Sequence, residues 1–317
     1  MIYFGQFILL VLGFVLLVKG ADFFVDGSSS LAKIFKIPSV IIGLTIVSIG
    51  TSLPEAAVSI TAALGGSYDL SIANVIGSNI FNSLVVVGAS AIICPFAIDR
   101  MIMKRDFPIC TGLTILLAVM LRDNTLSRGE AIVLLILFVL YILLLVMSAV
   151  KNKQEAEEEF KTLPLSRSIL FIILGAAGII AGGQFTVNSA KFFAAAFGMS
   201  EMLIGLTVVA AGTSLPELVT SIVAAKKGES EIALGNVVGS NIFNILFILG
   251  LSGTVHPLGC EPAALIDTCI LIGICVIMGF VCITGRKVSR PEGAFCVVFY
   301  IGYVAYTVMR AFNMLPF

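Results

Sequence analysis

Two glutamates interrupt long apolar runs of this chain, and each closes the same hexapeptide. Gly50-Thr51-Ser52-Leu53-Pro54-Glu55 returns as Gly212-Thr213-Ser214-Leu215-Pro216-Glu217, 162 residues later. The runs Ile41–Ile49 and Ile204–Ala211 lead into them, so both carboxylates are expected at membrane depth. An unpaired acid there costs roughly 2.5–3.5 kcal/mol on insertion scales, which makes a functional role the default reading. Proline within a helix removes one backbone hydrogen bond and clashes with the carbonyl four residues earlier. Pro54 and Pro216 should therefore free the carbonyls of Gly50 and Gly212, and free carbonyls at that depth must line a cavity or meet a ligand. The hydroxyls of Thr51, Ser52, Thr213 and Ser214 add to this oxygen cluster. Two protonated glutamates bonded between helices would explain the acids but not the recurring hydroxyls.

A second hexapeptide completes the set. Gly77-Ser78-Asn79-Ile80-Phe81-Asn82 recurs as Gly239-Ser240-Asn241-Ile242-Phe243-Asn244 at the same offset. Asn74, Ser78 and Asn82 are four apart and share a helix face, as do Asn236, Ser240 and Asn244. Gly77 and Gly239 would let that face approach the broken helix. Asn79 and Asn241 read more simply as polar glue between helices. All-oxygen sites suit Ca²⁺, whereas softer ligands suit transition metals. The same oxygens could hold Na⁺, and competition for one shell is the physical basis of an antiporter.

The elements that must position these groups are membrane helices. Of 317 residues, 59% are hydrophobic and 12% charged. Continuous apolar runs of about 20 residues are the unit for crossing a bilayer, and membrane barrels would alternate instead. We read ten spans, at approximately 2–31, 38–65, 70–95, 106–121, 129–149, 166–197, 200–225, 232–253, 264–284 and 293–312. Ile2–Val18 lacks a basic leader and a small-residue cleavage site, so it reads as a retained span. The offset also aligns Gly20 with Gly182 and Phe23 with Phe185. The expected architecture is all-α and polytopic: a first five-helix repeat at 1–150, a connecting loop at 151–164, and a second repeat at 165–317. Five is odd, so the second repeat should enter the membrane inverted, the plan of many secondary transporters.

Lys and Arg counted over alternate connections give fourteen on one side and three on the other. That places the central loop in the cytoplasm and both termini outside, in a protein of the plasma membrane. A formal charge of zero leaves no footprint for nucleic acid. The seven cysteines show no Cys-x-x-Cys pair and mostly sit in apolar runs. Lys19, Asp22 and Asp26 share a face of the first helix and should bridge locally; the offset carries them onto uncharged Ala181, Gln184 and Asn188. An enzyme is disfavoured, since His256 is the only histidine and no His-Glu-x-x-His motif exists. A channel is disfavoured because selectivity filters present rings of ligands from several subunits.

Both hexapeptides, each present twice, closely resemble the α-repeats of the calcium/cation antiporter superfamily, in particular its sodium/calcium exchanger branch. The resemblance implies Na⁺/Ca²⁺ exchange by alternating access, with H⁺/Ca²⁺ antiport as the alternative, no cofactor, and the two ions as substrates. It implies ion ligands at Thr51, Ser52, Glu55, Ser78, Asn82, Thr213, Ser214, Glu217, Ser240 and Asn244, plus the carbonyls of Ser48 and Ala210. It also implies that the first and sixth helices slide past the other eight. Characterised exchangers of that branch commonly carry an acid where this chain has Asn244.

Overall fold

The structure is a computed structural model that describes residues 2–151, 163–198, 210–285 and 287–312. The expected loop 151–164 and the first half of the expected span 200–225 lie mostly outside these residues. Helices dominate: α1 (Ile2–Phe35), α2 (Ser39–Thr51), α3 (Leu53–Leu64), α4 (Tyr68–Ile93), α5 (Phe107–Met120), α6 (Arg128–Lys151), α7 (Leu165–Ala196), α8 (Ala210–Thr213), α9 (Leu215–Lys226), α10 (Ser230–Val255), α11 (Pro262–Gly285) and α12 (Arg290–Ala311). Among the described residues seven are long and apolar enough to cross a membrane, or eight if α2 and α3 form one broken span. Of the ten expected spans, 106–121 is realised as the shorter α5, and 200–225 is described only from Ala210 onward.

At about 1.5 Å per residue, α1 and α7 each reach close to 50 Å, well beyond a hydrocarbon core of about 30 Å. They pack antiparallel along a seam of small residues at seven-residue spacing. Gly13 lies against Gly182 and Thr186, Gly20 against Gly175 and Ile179, and Gly27 against Ser168 and Ile172. A Cβ at Gly20 would stand 2.8 Å from the Ile179 nitrogen, and one at Gly175 only 2.6 Å from that of Phe24. Backbone meets backbone, the contact small residues permit where lipid supplies no hydrophobic drive. A heptad period matches the crossing of about 20° that keeps such a seam in contact.

The other long axis, α10, is enclosed: every residue from Ile232 to Phe243 is buried. It sits hard against α2, where a Cβ at Gly235 would be 2.8 Å from the Val40 carbonyl and one at Gly239 2.7 Å from Ser48 Oγ. Gly239 thus lets this face approach the broken helix as the sequence suggests, whereas a Cβ at Gly77 would meet nothing within 4 Å among the described residues. Both α4 and α10 widen into a π-helical stretch that starts at the last residue of the second hexapeptide, at Asn82–Val86 and Asn244–Leu249. Such insertions cluster at functional sites because they re-aim side chains.

Two short antiparallel ribbons, absent from the all-α expectation, tie connections together. In one, β1 (Phe96–Ala97) pairs with β4 (Lys287–Val288); in the other, β2 (Thr125–Leu126) pairs with β3 (Leu258–Gly259). The 162-residue offset carries β1 onto β3 and β2 onto β4, so each ribbon is the image of the other.

The acidic face of α1 does more than bridge locally. Lys19 pairs with Asp22 at 3.7 Å, but Lys227 also reaches Asp26 at 2.8 Å and Asp22 at 3.4 Å. Glu229 accepts a hydrogen bond from Ser29 Oγ and lies 3.5 Å from Lys33. The expectation of a purely local bridge is corrected here: these acids fasten α1 to the turn between α9 and α10. Sequence spacing showed only the neighbours within the helix, because Lys227 arrives from 201 residues away.

Candidate cation site

Each hexapeptide breaks its helix at the serine. Ser52 lies between α2 and α3 with φ −84° and ψ 6°, and Ser214 lies between α8 and α9 with φ −90° and ψ 9°. This bridge region is sparsely populated and frequent at functional residues. The first break bends the chain by 50°. Pro54 and Pro216 fall in the first turn of the new helix, where a missing N–H is tolerated. The broken helices read from the sequence are therefore realised as a stop and a restart, and Glu55 and Glu217 sit in the first turn of α3 and α9. That end of a helix favours negative charge.

Both glutamates are fully buried, and each is held by the serine of the other half. Ser52 Oγ donates to Glu217 Oε1 at 2.8 Å, and Ser214 Oγ donates to Glu55 Oε1 at 2.9 Å. Ser240 Oγ lies 3.5 Å from Glu217 Oε1 and 3.4 Å from the Ser48 carbonyl. Thr51 Oγ1 donates to Asn236 Oδ1 at 3.0 Å, and is 3.3 Å from the Ser48 carbonyl. So the Ser48 carbonyl stands where Thr51 and Ser240 meet. Ala210 is the first residue of α8, and the chain before it lies outside the described residues.

Six further oxygens or hydroxyls of the expected set are buried without a hydrogen-bond partner: Glu55 Oε2, Glu217 Oε2, Ser78 Oγ, Thr213 Oγ1, Asn82 Oδ1 and Asn244 Oδ1. Six other hydroxyls elsewhere among the described residues are orphaned too, but only this set includes carboxylate and amide oxygens. Buried polar atoms are nearly always satisfied, so these call for a ligand. Among the described residues no three His, Cys, Asp or Glu side chains gather. A cation held here would take two carboxylates and otherwise neutral oxygens, a hard-cation shell.

The asparagines of the polar stripe divide into two jobs. Asn74 Nδ2 donates to Ser59 Oγ at 2.9 Å and lies 3.3 Å from the Glu55 carbonyl. Asn236 does the same with Ser221 Oγ at 3.0 Å and the Glu217 carbonyl at 3.4 Å. These two brace the glutamate helices. Ser59 and Ser221 went unnoticed in the sequence, although the offset of 162 relates them and each lies one turn beyond its glutamate.

The halves also match one known family twice. A family model described as Sodium/calcium exchanger protein fits residues 5–147 and again 167–309. This chain belongs to the sodium/calcium exchanger family. The two matches begin and end with the offset that relates the hexapeptides. The Sodium/calcium exchanger MaX1 of Methanosarcina acetivorans is 35% identical over 345 residues, covering 94% of this chain and 97% of its own. Inner membrane protein YrbG of Escherichia coli is 36% identical over 311 residues, covering 95% of each chain. A solved structure of the sodium-calcium exchanger NCX_Mj superposes with a TM-score of 0.84 at 34% identity, over 96% of this chain and 99% of its own. The protein is therefore an integral membrane member of an exchanger family, and its polytopic helical fold is that of NCX_Mj.

Proposed function

We propose that this protein exchanges cytoplasmic Ca²⁺ for external Na⁺ by alternating access, binding both ions in turn at one shell between two inverted five-helix halves. The observation that carries this is the crossed bonding of Ser52 to Glu217 and Ser214 to Glu55. Each acid is held by the other half while the second oxygen of each carboxylate keeps no partner in the chain, which supports one shared centre. The ligands are Thr51, Ser52, Glu55, Ser78 and Asn82 with Thr213, Ser214, Glu217, Ser240 and Asn244, joined by the carbonyls of Ser48 and Ala210. Two carboxylates balance one Ca²⁺, and its departure leaves a doubly negative pocket that Na⁺ can refill. The exchanger names of MaX1 and NCX_Mj support sodium as the coupling ion.

Inversion of the halves is supported by the ribbons. A parallel repeat would bring the β1 connection to the side of its image β3, yet β1 pairs with β4 and β2 with β3. The partners are those an upside-down second half puts on the same face. The arginine and lysine count then places β1, β4 and the turn at Lys227–Glu229 in the cytoplasm of a plasma-membrane protein, with both termini outside. The glycine seam supports α1 and α7 as one pair that moves together past the other spans, since their backbones touch along its length.

Purified protein in vesicles tests the reading. A sodium gradient should drive Ca²⁺ uptake, and Glu55→Gln or Glu217→Gln should lower it on the order of a hundredfold or more, because one charge of a buried, desolvated set is lost. Uptake that follows a pH gradient and ignores sodium would select proton coupling instead; wild-type uptake in both variants would refute the site.

A further inference from the structure

We propose that Asn79 and Asn241 are positioning residues that fix which end of the Asn82 and Asn244 amides meets the cation. The inference rests on the exchange site proposed above and deepens it. An asparagine amide has an oxygen end and an NH₂ end of nearly equal shape, so packing alone does not choose between them. For a cation the difference is decisive: the oxygen is a ligand and the NH₂ a repellent donor.

The choice is made by a crossed pair of hydrogen bonds. Asn82 Nδ2 donates to Asn241 Oδ1 at 3.3 Å, and Asn244 Nδ2 donates to Asn79 Oδ1 at 3.0 Å. Each bond consumes the donor end, and the oxygens left over, Asn82 Oδ1 and Asn244 Oδ1, are buried with no partner in the chain. The anchors are themselves held. Asn79 Nδ2 donates to the Asn241 carbonyl at 3.2 Å, and Asn241 Nδ2 donates to Ser83 Oγ at 3.0 Å. An anchor so bound cannot turn without losing a bond and setting NH₂ against NH₂.

Placement ties the arrangement to the glutamates. Asn82 opens the π stretch that packs on α9, the helix of Glu217, and Asn244 opens the π stretch that packs on α3, the helix of Glu55. All four asparagines are at most 4% exposed, so water does not compete for either end. Simple interhelical glue would need any bond between the helices; it would not leave two acceptor ends free and aimed from the start of both π stretches.

The test uses Ca²⁺ itself, read twice: as sodium-driven uptake into vesicles, and as the Ca²⁺ concentration that half-saturates thermal stabilisation of the purified protein. Leucine matches asparagine in shape, so Asn241→Leu frees the Asn82 amide with little change of volume. Its half-saturating Ca²⁺ should rise about five- to tenfold, the worth of one net hydrogen bond, with maximal uptake within about twofold of wild type. In an Asn82→Ala background Asn241→Leu should add nothing, because the group it positions is gone. Asn79→Leu tested against Asn244→Ala gives an independent pair should Asn241→Leu fail to fold. Unchanged Ca²⁺ dependence in Asn241→Leu and Asn79→Leu, or effects that multiply with Asn82→Ala and Asn244→Ala, would overturn the positioning role. Wild-type protein that neither binds nor moves Ca²⁺ would overturn the exchange reading and this one with it, whereas a binding protein with indifferent anchors overturns this one alone.

Discussion

In the proposed exchange site Asn244 keeps the number of carboxylates at two, so that Glu55 and Glu217 balance one Ca²⁺. Asn244→Asp would add a third carboxylate and remove the bond that Asn244 Nδ2 donates to Asn79 Oδ1, leaving the Ca²⁺-loaded site with a net negative charge. Low-dielectric surroundings magnify that imbalance, so a further cation should be recruited. The expected outcome is Ca²⁺ affinity raised on the order of tenfold and more Na⁺ moved per Ca²⁺, read from the voltage at which vesicle flux reverses. An unchanged reversal voltage would place residue 244 outside the ion's shell. The same residue scale shows the limit of sequence spacing. The stripe Asn74, Ser78, Asn82 was legible as one helix face, but its members act differently, with Asn74 turned to Ser59 and Asn82 to Asn241. Spacing gives the face of a helix, and the partner opposite decides the use.

At the scale of elements, the seam between α1 and α7 and the fastening at Lys227 pull in opposite directions. On the proposed reading the seam carries α1 and α7 as a moving pair, and it depends on glycine where the backbones touch. Gly175→Val puts a Cβ into the space held by the Phe24 nitrogen; overpacking of that kind costs about 1–3 kcal/mol. Thermal unfolding should fall accordingly and uptake should drop with it, while Gly112→Val, where a Cβ meets nothing within 4 Å, should leave both near wild type. Lys227 works at one end of the seam. Its partners Asp22 and Asp26 become Gln184 and Asn188 in the second half, and Lys227 itself corresponds to Gly65, so the other end has no counterpart among these residues. Half-exposed ion pairs are worth about 0–1 kcal/mol each. Lys227→Met should therefore leave stability almost unchanged but shift the balance of α1 positions by up to about fivefold, since a balanced two-state element responds to small biases. The reaction rate of a thiol reagent with a cysteine at Ala32, buried in this end of α1, should rise by that factor and lose its dependence on salt. No change in rate would show that these pairs do not restrain α1.

For the whole molecule, the connections sort into two sets by contact. On one face Arg290 bonds the Ile92 carbonyl, β1 pairs with β4, and Lys33 meets Glu229. On the other, His256 stacks on Tyr68 with ring centroids 4.2 Å apart, the Glu261 amide donates to Asp69, and the Cys260 amide donates to the Asn124 carbonyl. These sets coincide with the charge-rich and charge-poor connections of the sequence. Impermeant maleimide added to intact cells should then label Arg122→Cys, and should reach Lys104→Cys only after permeabilisation, in protein whose native cysteines are replaced. The reverse pattern would turn the molecule over in the membrane.

Duplication, membrane residence and the identity of the paired acids were fixed by the chain alone, because composition and a constant offset are properties of order along the sequence. The two breaks at Ser52 and Ser214 were legible too, since proline and glycine act on their own backbone. Which serine holds which glutamate was not. Ser52 and Ser214 have equal capacity to bond the nearer acid or the distant one. The crossing belongs to the packed arrangement, in which Gly235 and Gly239 hold α10 of one half close against α2 of the other. Nor did spacing reveal the anchoring by Asn79 and Asn241 or the reach of Lys227 to Asp26. Hydrogen bonds and ion pairs are short-ranged and indifferent to sequence distance, so only the packed arrangement of the helices selects among equally capable partners.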